Sequence, residues 1–235
     1  MSEIAERFAG VRERVAAASA RSGRDPSDVT IVAVSKRQPD ALVEAAAACG
    51  VTVFGEIHAQ ALARRCQAFP GARWDFIGAI QTNKAKLLVP GAGLIHSVGS
   101  LRAAQAIGRR ARACEAPASV LIEVDTSPAG PRAGVGAEGA PDLAASVLGV
   151  DGVRLLGLMS MPPRGAEAED ARPHFALVRA LRDRIRDDLG TPLPELSMGM
   201  SGDYEVAVEE GATLIRVGTA IFGPRPEAGV AGGTP

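Results

Sequence analysis

The amino-acid sequence predicts an α/β fold, a single (β/α)8 barrel of parallel strands, from three observations. Short apolar runs and longer helical patterns alternate along the chain. The runs number eight, the count that closes a barrel. The loops richest in glycine and proline, Ser127 to Gly139 and Pro162 to Gly165, both follow strand candidates, on the face where barrels carry their sites. An open doubly wound sheet shares the alternation and stands as the alternative on pattern alone.

In chain order, Met1 through Ala20 comes first. It alternates Glu3, Glu6, Arg7, Arg12, Glu13 and Arg14 with apolar positions, which reads as an amphipathic helix extra to the barrel and excludes the continuous apolar core of a signal peptide. Strand candidates follow at Ile31 to Ser35, Val51 to Phe54, Trp74 to Gly78, Leu94 to Val98, Ser119 to Asp125, Arg154 to Met159, Glu195 to Met198 and Leu214 to Val217. Between them lie helical patterns at Asp40 to Cys49, Ala59 to Ala68, Thr82 to Val89, Leu101 to Cys114, Asp142 to Leu148, Ala171 to Leu189 and Asp203 to Glu210. Gly50, Gly190 and Gly211 stand where a helix stops in a left-handed residue. The Gly-, Ala- and Pro-rich stretch 226–235 reads as a disordered tail, leaving 1–225 as one barrel domain.

Composition narrows the class of function. The chain has 235 residues, 46% hydrophobic and 23% charged, enough for a large core. A net charge of -1 points to no nucleic acid and no anionic membrane surface as partner. The clusters Arg109-Arg110-Ala111-Arg112 and Arg179 through Arg186, the latter interleaved with Asp183, Asp187 and Asp188, read as solvated helix faces. Cys49, Cys66 and Cys114 are odd in number and far apart, which indicates neither a disulfide framework nor a zinc site. No apolar run reaches the roughly 20 residues that span a bilayer. The expected address is the reducing cytoplasm, and the expected state a monomer.

Lys36 is one of three lysines against 23 arginines, and it ends the apolar run Ile31-Val32-Ala33-Val34-Ser35. An arginine keeps its proton at any accessible pH, whereas burial penalises an ammonium and favours the neutral amine, the nucleophile that forms Schiff bases with carbonyl compounds. A lysine that closes a strand and faces water is the plainer reading, and Lys36 alone leaves both open. The seventh run leads into Ser197-Met198-Gly199-Met200-Ser201-Gly202-Asp203 and then a helix, offering bare amides and a hydroxyl to an anion; N-capping by Ser201 or Asp203 is the plainer reading. The eighth ends Arg216-Val217-Gly218-Thr219-Ala220, again small residues and a hydroxyl, and loops after strands seven and eight of such barrels often share one phosphate site. Arg216 alternates with Ile215 and Val217, so it points either into the barrel, where it needs an acceptor, or out toward the helices. Weaker candidates are Gln81-Thr82-Asn83-Lys84, read equally as lining the same mouth or as a helix start, Glu56, read as orienting a neighbour or capping a helix, and His58, His96 and His174, which lack metal-ligand spacing.

Together these segments resemble the pyridoxal phosphate homeostasis protein family. The resemblance rests on Ala33-Val34-Ser35-Lys36, Phe54-Gly55-Glu56, Phe76-Ile77-Gly78 with Gln81-Thr82-Asn83-Lys84, Ile95-His96-Ser97-Val98, Gly157-Leu158-Met159, Leu196 to Asp203 with its Ser-Met-Gly-Met-Ser motif, and Arg216 to Gly223. It implies a (β/α)8 barrel of the alanine-racemase N-terminal type that holds pyridoxal 5′-phosphate as a Schiff base on Lys36. By the same resemblance Ser201, Gly202, Gly218 and Thr219 cradle the phosphate and Arg216 meets the pyridine nitrogen. It further implies a protein that buffers the cofactor and delivers it to apo-enzymes, with no established turnover. Relatives usually read Gly-Glu-Asn followed by Tyr or Arg, whereas Gly55-Glu56 is followed here by Ile57-His58. Ala79 stands where a histidine is common, and Asp75 replaces a frequent histidine. If the absent amide contacts the cofactor in relatives, affinity or reactivity differs here. Two competing functions are an amino-acid racemase, which needs a second acid/base when the sole tyrosine is Tyr204, and a phosphate-sugar aldolase that uses Lys36 with no bound chromophore.

Overall fold

The computed structural model describes residues 2–127, 134–163 and 167–224. The chain opens with α1 (Glu3–Arg21), whose start is capped by the Ser2 hydroxyl accepting from the Ala5 amide. There follow β1 (Thr30–Val34), α2 (Asp40–Ala48), β2 (Val53–Glu56), α3 (Ala59–Ala68), β3 (Arg73–Phe76), α4 (Ala85–Leu88), β4 (Leu94–Val98), α5 (Leu101–Ala113), β5 (Ala118–Asp125), β6 (Val135–Gly136), α6 (Ala140–Leu148), β7 (Val153–Met161), α7 (Arg172–Leu189), β8 (Glu195–Ser197), α8 (Tyr204–Glu209), β9 (Leu214–Val217) and α9 (Thr219–Phe222).

Pairing runs β4-β3-β2-β1-β9-β8-β7-β5, and β4 also pairs with β5, so the sheet closes on itself. Every pair is parallel. This is the (β/α)8 barrel, and the open doubly wound alternative is excluded by the β4–β5 closure. The two-residue β6 lies outside the ring, on the end of β5. Two apolar layers hold the barrel. Inside, Val32, Val53, Leu94, Leu121, Met159 and Leu214 meet, each from a different strand. Outside, a larger core joins the opposite strand faces to the helices. Because α9 has only four residues, α1 packs on α8 and α9 and takes the place of an eighth outer helix. It does so through its buried stripe of Ile4, Phe8, Val11, Val15 and Ala18.

Some boundaries differ from the expectation. β2 begins and ends two residues later, because its register is set by pairing with β3, Val53 opposite Arg73 and Glu56 opposite Phe76. The helix expected over Thr82 to Val89 is a 3-10 turn at Thr82–Lys84 followed by four α-helical residues, and Val89 is extended before Pro90. The helix stops at Gly50, Gly190 and Gly211 all have positive φ. The expected tail at 226–235, and part of both glycine- and proline-rich loops, lie outside the described residues. Among those residues no helix is long and apolar enough to cross a membrane.

Candidate functional site

β1 ends at Val34, and the chain then turns sharply. The Ser35 amide donates to the Gly55 carbonyl (3.0 Å) and the Gln38 amide to the Ser35 carbonyl (3.0 Å), with Arg37 in the left-handed region at φ +61°. Lys36, half-buried, rides on this turn.

Beside this turn, on the next two strands of the ring, the loops after β8 and β9 are stitched together. The Ser201 hydroxyl oxygen accepts from the amides of Gly218 (3.2 Å) and Ala220 (3.3 Å). The Arg216 amide donates to the Gly199 carbonyl (2.9 Å). Gly199 sits at φ +90°, and a Cβ there would lie 2.5 Å from that of Ala207, so only glycine fits. Capping of α8 by Ser201 is therefore not what occurs: its oxygen serves the start of α9. Asp203 stands at the N-cap of α8 but accepts from the Met200 amide, and burial pushes its carboxyl above the usual carboxylate range.

Arg216 points into the barrel. It pairs in register with Val32, a member of the inner cluster, and is 4% exposed. Its Nη1 donates to Ser197 Oγ (2.7 Å) and its Nη2 to the Ser160 carbonyl (2.9 Å). Beneath it the bonds continue. Ser197 Oγ meets His96 Nδ1 at 2.8 Å, His96 Nε2 meets Asp75 Oδ2 at 3.1 Å, and Asp75 accepts from Arg73 Nε (2.8 Å) and Nη2 (2.9 Å). A carboxylate only accepts, so His96 carries its proton on Nε2 and accepts from the Ser197 hydroxyl. Burial pushes His96 below the usual histidine range, with Asp75 opposing. Burial also pushes the Arg216 guanidinium down to about 10, with Asp203 and Glu123 opposing, so it stays charged at neutral pH. Glu123, on the same face of β5 as Leu121, is pushed up by burial.

All six residues singled out from the sequence, Lys36, Ser201, Gly202, Arg216, Gly218 and Thr219, line one cleft of about 320 Å³ at the C-terminal ends of the strands. Ile57, Ile77, Met159, Met161 and Met200 form its apolar wall, and none of the described lining residues is acidic. The chemistry gathered there is an amine, a guanidinium, two hydroxyls and several backbone amides, a donor set suited to an anion that carries a carbonyl.

The weaker candidates lie elsewhere. Gln81 to Lys84 lead into α4 and do not line the cleft. His58 is exposed at the N-cap of α3, and His174 Nδ1 lies 2.9 Å from Thr126 Oγ1. Ala79 is exposed outside the cleft, and Tyr204 is buried on α8, outside the cleft as well. Glu56 is the buried last residue of β2, where it accepts from Ser35 Oγ at 2.8 Å. Sequence reasoning missed His96 and Asp75 as support for Arg216, although both alternate on the inward face of their strands. Among the described residues, no group of His, Cys, Asp and Glu could hold a metal ion, and the three cysteines are free.

Comparison with known proteins agrees with this architecture. The family model described as alanine racemase, N-terminal domain, matches residues 9–226. A pyridoxal phosphate homeostasis protein of Aquifex aeolicus is 39% identical over 222 residues, 94% of this chain and 97% of the relative. One of Pseudomonas aeruginosa is 41% identical over 227 residues, 96% of this chain and 97% of the relative. The structure of PipY from Synechococcus elongatus with PLP bound superposes with a TM-score of 0.82 at 34% identity, covering 94% of this chain and all of that one.

Proposed function

Because the chain belongs to the pyridoxal phosphate homeostasis proteins, within the alanine racemase N-terminal domain family, we propose that its cleft binds pyridoxal 5′-phosphate and that the protein holds and delivers the cofactor without turnover of its own. The observation that carries this reading is the convergence of Lys36, Arg216 and the Ser201–Thr219 loops on one cleft with no acidic lining residue among those described. When bound, the cofactor supplies an aldehyde that condenses with amines and a ring that withdraws electrons.

The residues present fit that group. The Ser201 and Thr219 hydroxyls and the Gly202 and Thr219 amides offer donors to a phosphate, and Gly218, whose own amide is taken by Ser201 Oγ, leaves room for its approach. Lys36 offers the amine for a Schiff base, and the apolar wall packs against a ring. Arg216, charged at neutral pH and held by Ser197 and Ser160, would meet a ring nitrogen as a donor and so disfavour its protonation, which would weaken the ring as an electron sink. A racemase needs a second proton carrier beside the substrate carbon, and Tyr204, buried on α8, does not reach the cleft. On this reading the recipients are apo-enzymes that depend on the same cofactor, met in the cytoplasm.

The test has two arms. The loaded protein is mixed with an apo-enzyme of this class, and recovery of that enzyme's activity is followed. In parallel, α-proton exchange of alanine and other amino acids is followed by NMR in deuterium oxide. Reactivation without exchange is expected. Exchange at several turnovers per second that disappears in Lys36→Ala would show an enzyme instead.

A further inference from the structure

The turn that carries Lys36 is gripped from behind by a buried ion pair that does not line the cleft. Arg65 on α3 and Glu56 at the end of β2 are each 2% exposed. Glu56 Oε1 accepts from Ser35 Oγ at 2.8 Å, on the residue before Lys36. Arg65 Nη2 donates to the backbone carbonyl of Gln38, two residues after it. The same guanidinium has Nε 3.8 Å from Glu56 Oε1 and Nη1 2.9 Å from Asp40 Oδ1, ion pairs off hydrogen-bond alignment. Its Cζ lies 5.9 and 6.0 Å from the ring centroids of Phe69 and Trp74. Both ends of the Lys36 turn are thus fastened to one pair.

Two physical points give this arrangement a meaning beyond packing. Desolvating a guanidinium and a carboxylate costs about as much as their attraction returns, so a buried pair is a weak device for stability and a good one for fixing geometry. Arg37, between Lys36 and Gln38, holds φ +61°, a conformation that a residue other than glycine keeps only where its surroundings dictate it. We propose that Arg65 and Glu56 are positioning residues that set the Lys36 turn so that its amine faces the cleft in a reactive pose. This rests on the reading of Lys36 as the attachment point for the aldehyde. Attachment forms one C=N bond and releases one water, and its rate depends on where the amine nitrogen stands. The proposed phosphate donors Ser201, Gly202 and Thr219 and the proposed ring-nitrogen partner Arg216 stand on β9 and the loops after β8 and β9, away from Arg65 on α3.

The experiment compares wild type with Arg65→Met, which keeps the apolar stem, and Arg65→Lys, which keeps a cation able to reach the Gln38 carbonyl. Each is titrated with pyridoxal 5′-phosphate, by absorbance and borohydride trapping, and with pyridoxamine 5′-phosphate, which has the same phosphate and ring but no aldehyde. Arg65→Met is expected to weaken pyridoxal 5′-phosphate about tenfold or more and to slow trapping, with pyridoxamine 5′-phosphate within about twofold; Arg65→Lys is expected to recover most of the loss. If circular dichroism shows Arg65→Met unfolded, Ser35→Ala, which removes the 2.8 Å hydroxyl link to Glu56 and the longer 3.4 Å contact to the Gly55 carbonyl, is expected to give the same selective loss in smaller measure. Equal losses for both ligands, or none for either, in the folded variant would overturn the inference. A wild type that cannot be trapped at all would overturn the cofactor reading, and this inference with it.

Discussion

Replacing Ser201 by Ala together with Thr219 by Val removes the two hydroxyls of the proposed phosphate cradle, and the structure sets the size of the effect. Serine has two lone pairs and one hydrogen. Both lone pairs of Ser201 face the amides of Gly218 and Ala220, so its hydrogen is left for a phosphate oxygen. A hydrogen bond to a charged group contributes about 1.5 to 3 kcal/mol, or roughly ten- to a hundredfold in affinity. Thr219 is exposed, so its share belongs at the lower end. Losing Ser201 also leaves two amides without their acceptor, which loosens the loops whatever the ligand. Comparing pyridoxal 5′-phosphate with pyridoxal, which lacks the phosphate, cancels that common loss. The assay is competitive titration of both ligands against wild type and the double variant. The affinity ratio between them should fall at least tenfold in the variant, and an unchanged ratio would refute the cradle.

Two further outcomes concern the folded chain itself. Because His96 in the folded state lies below the usual histidine value near 6.5, the unfolded chain takes up a proton that the folded chain refuses. Stability should therefore be full above that pH and be lost below it, at up to about 1.4 kcal/mol per pH unit; urea unfolding at pH 5, 6 and 7 should show a shallower dependence in His96→Asn. Glu123, pushed up, acts with the opposite sign above its ordinary 4.5 and is common to both proteins, so the difference between them isolates His96. Gly199→Ala should lower stability by at least about 1 to 3 kcal/mol from the positive φ, with the 2.5 Å approach to Ala207 Cβ adding to it, and the melting temperature by several degrees or more for a chain of this size.

Much of this was legible in the sequence because barrel formation is written in local periodicity. The eight apolar runs and the glycine stops at 50, 190 and 211 need no tertiary information, and the structure differs mainly at strand ends. There, pairing with a neighbour decides: Glu56 looks like a loop carboxylate by composition, yet the register with Phe76 keeps it in β2, and Ser35 and Arg65 make its burial tolerable. The cleft was legible through residues whose chemistry is unusual at their position, Lys36 and Arg216 above all. What holds them was not. The Ser160 contact to Arg216 and the Gln38 contact to Arg65 are made by backbone carbonyls, which carry no residue identity. The link between Asp75, His96 and Ser197 joins three strands far apart in sequence.

The central claim is that Lys36, among the three lysines of this chain, is the residue that takes the cofactor. Reduction of the loaded protein with borohydride, followed by proteolysis and mass mapping, tests it most directly. The pyridoxyl group is expected on the peptide containing Lys36, with Lys36→Ala giving neither label nor visible absorbance. Recovery of the label chiefly on Lys84 or Lys86 would contradict the account.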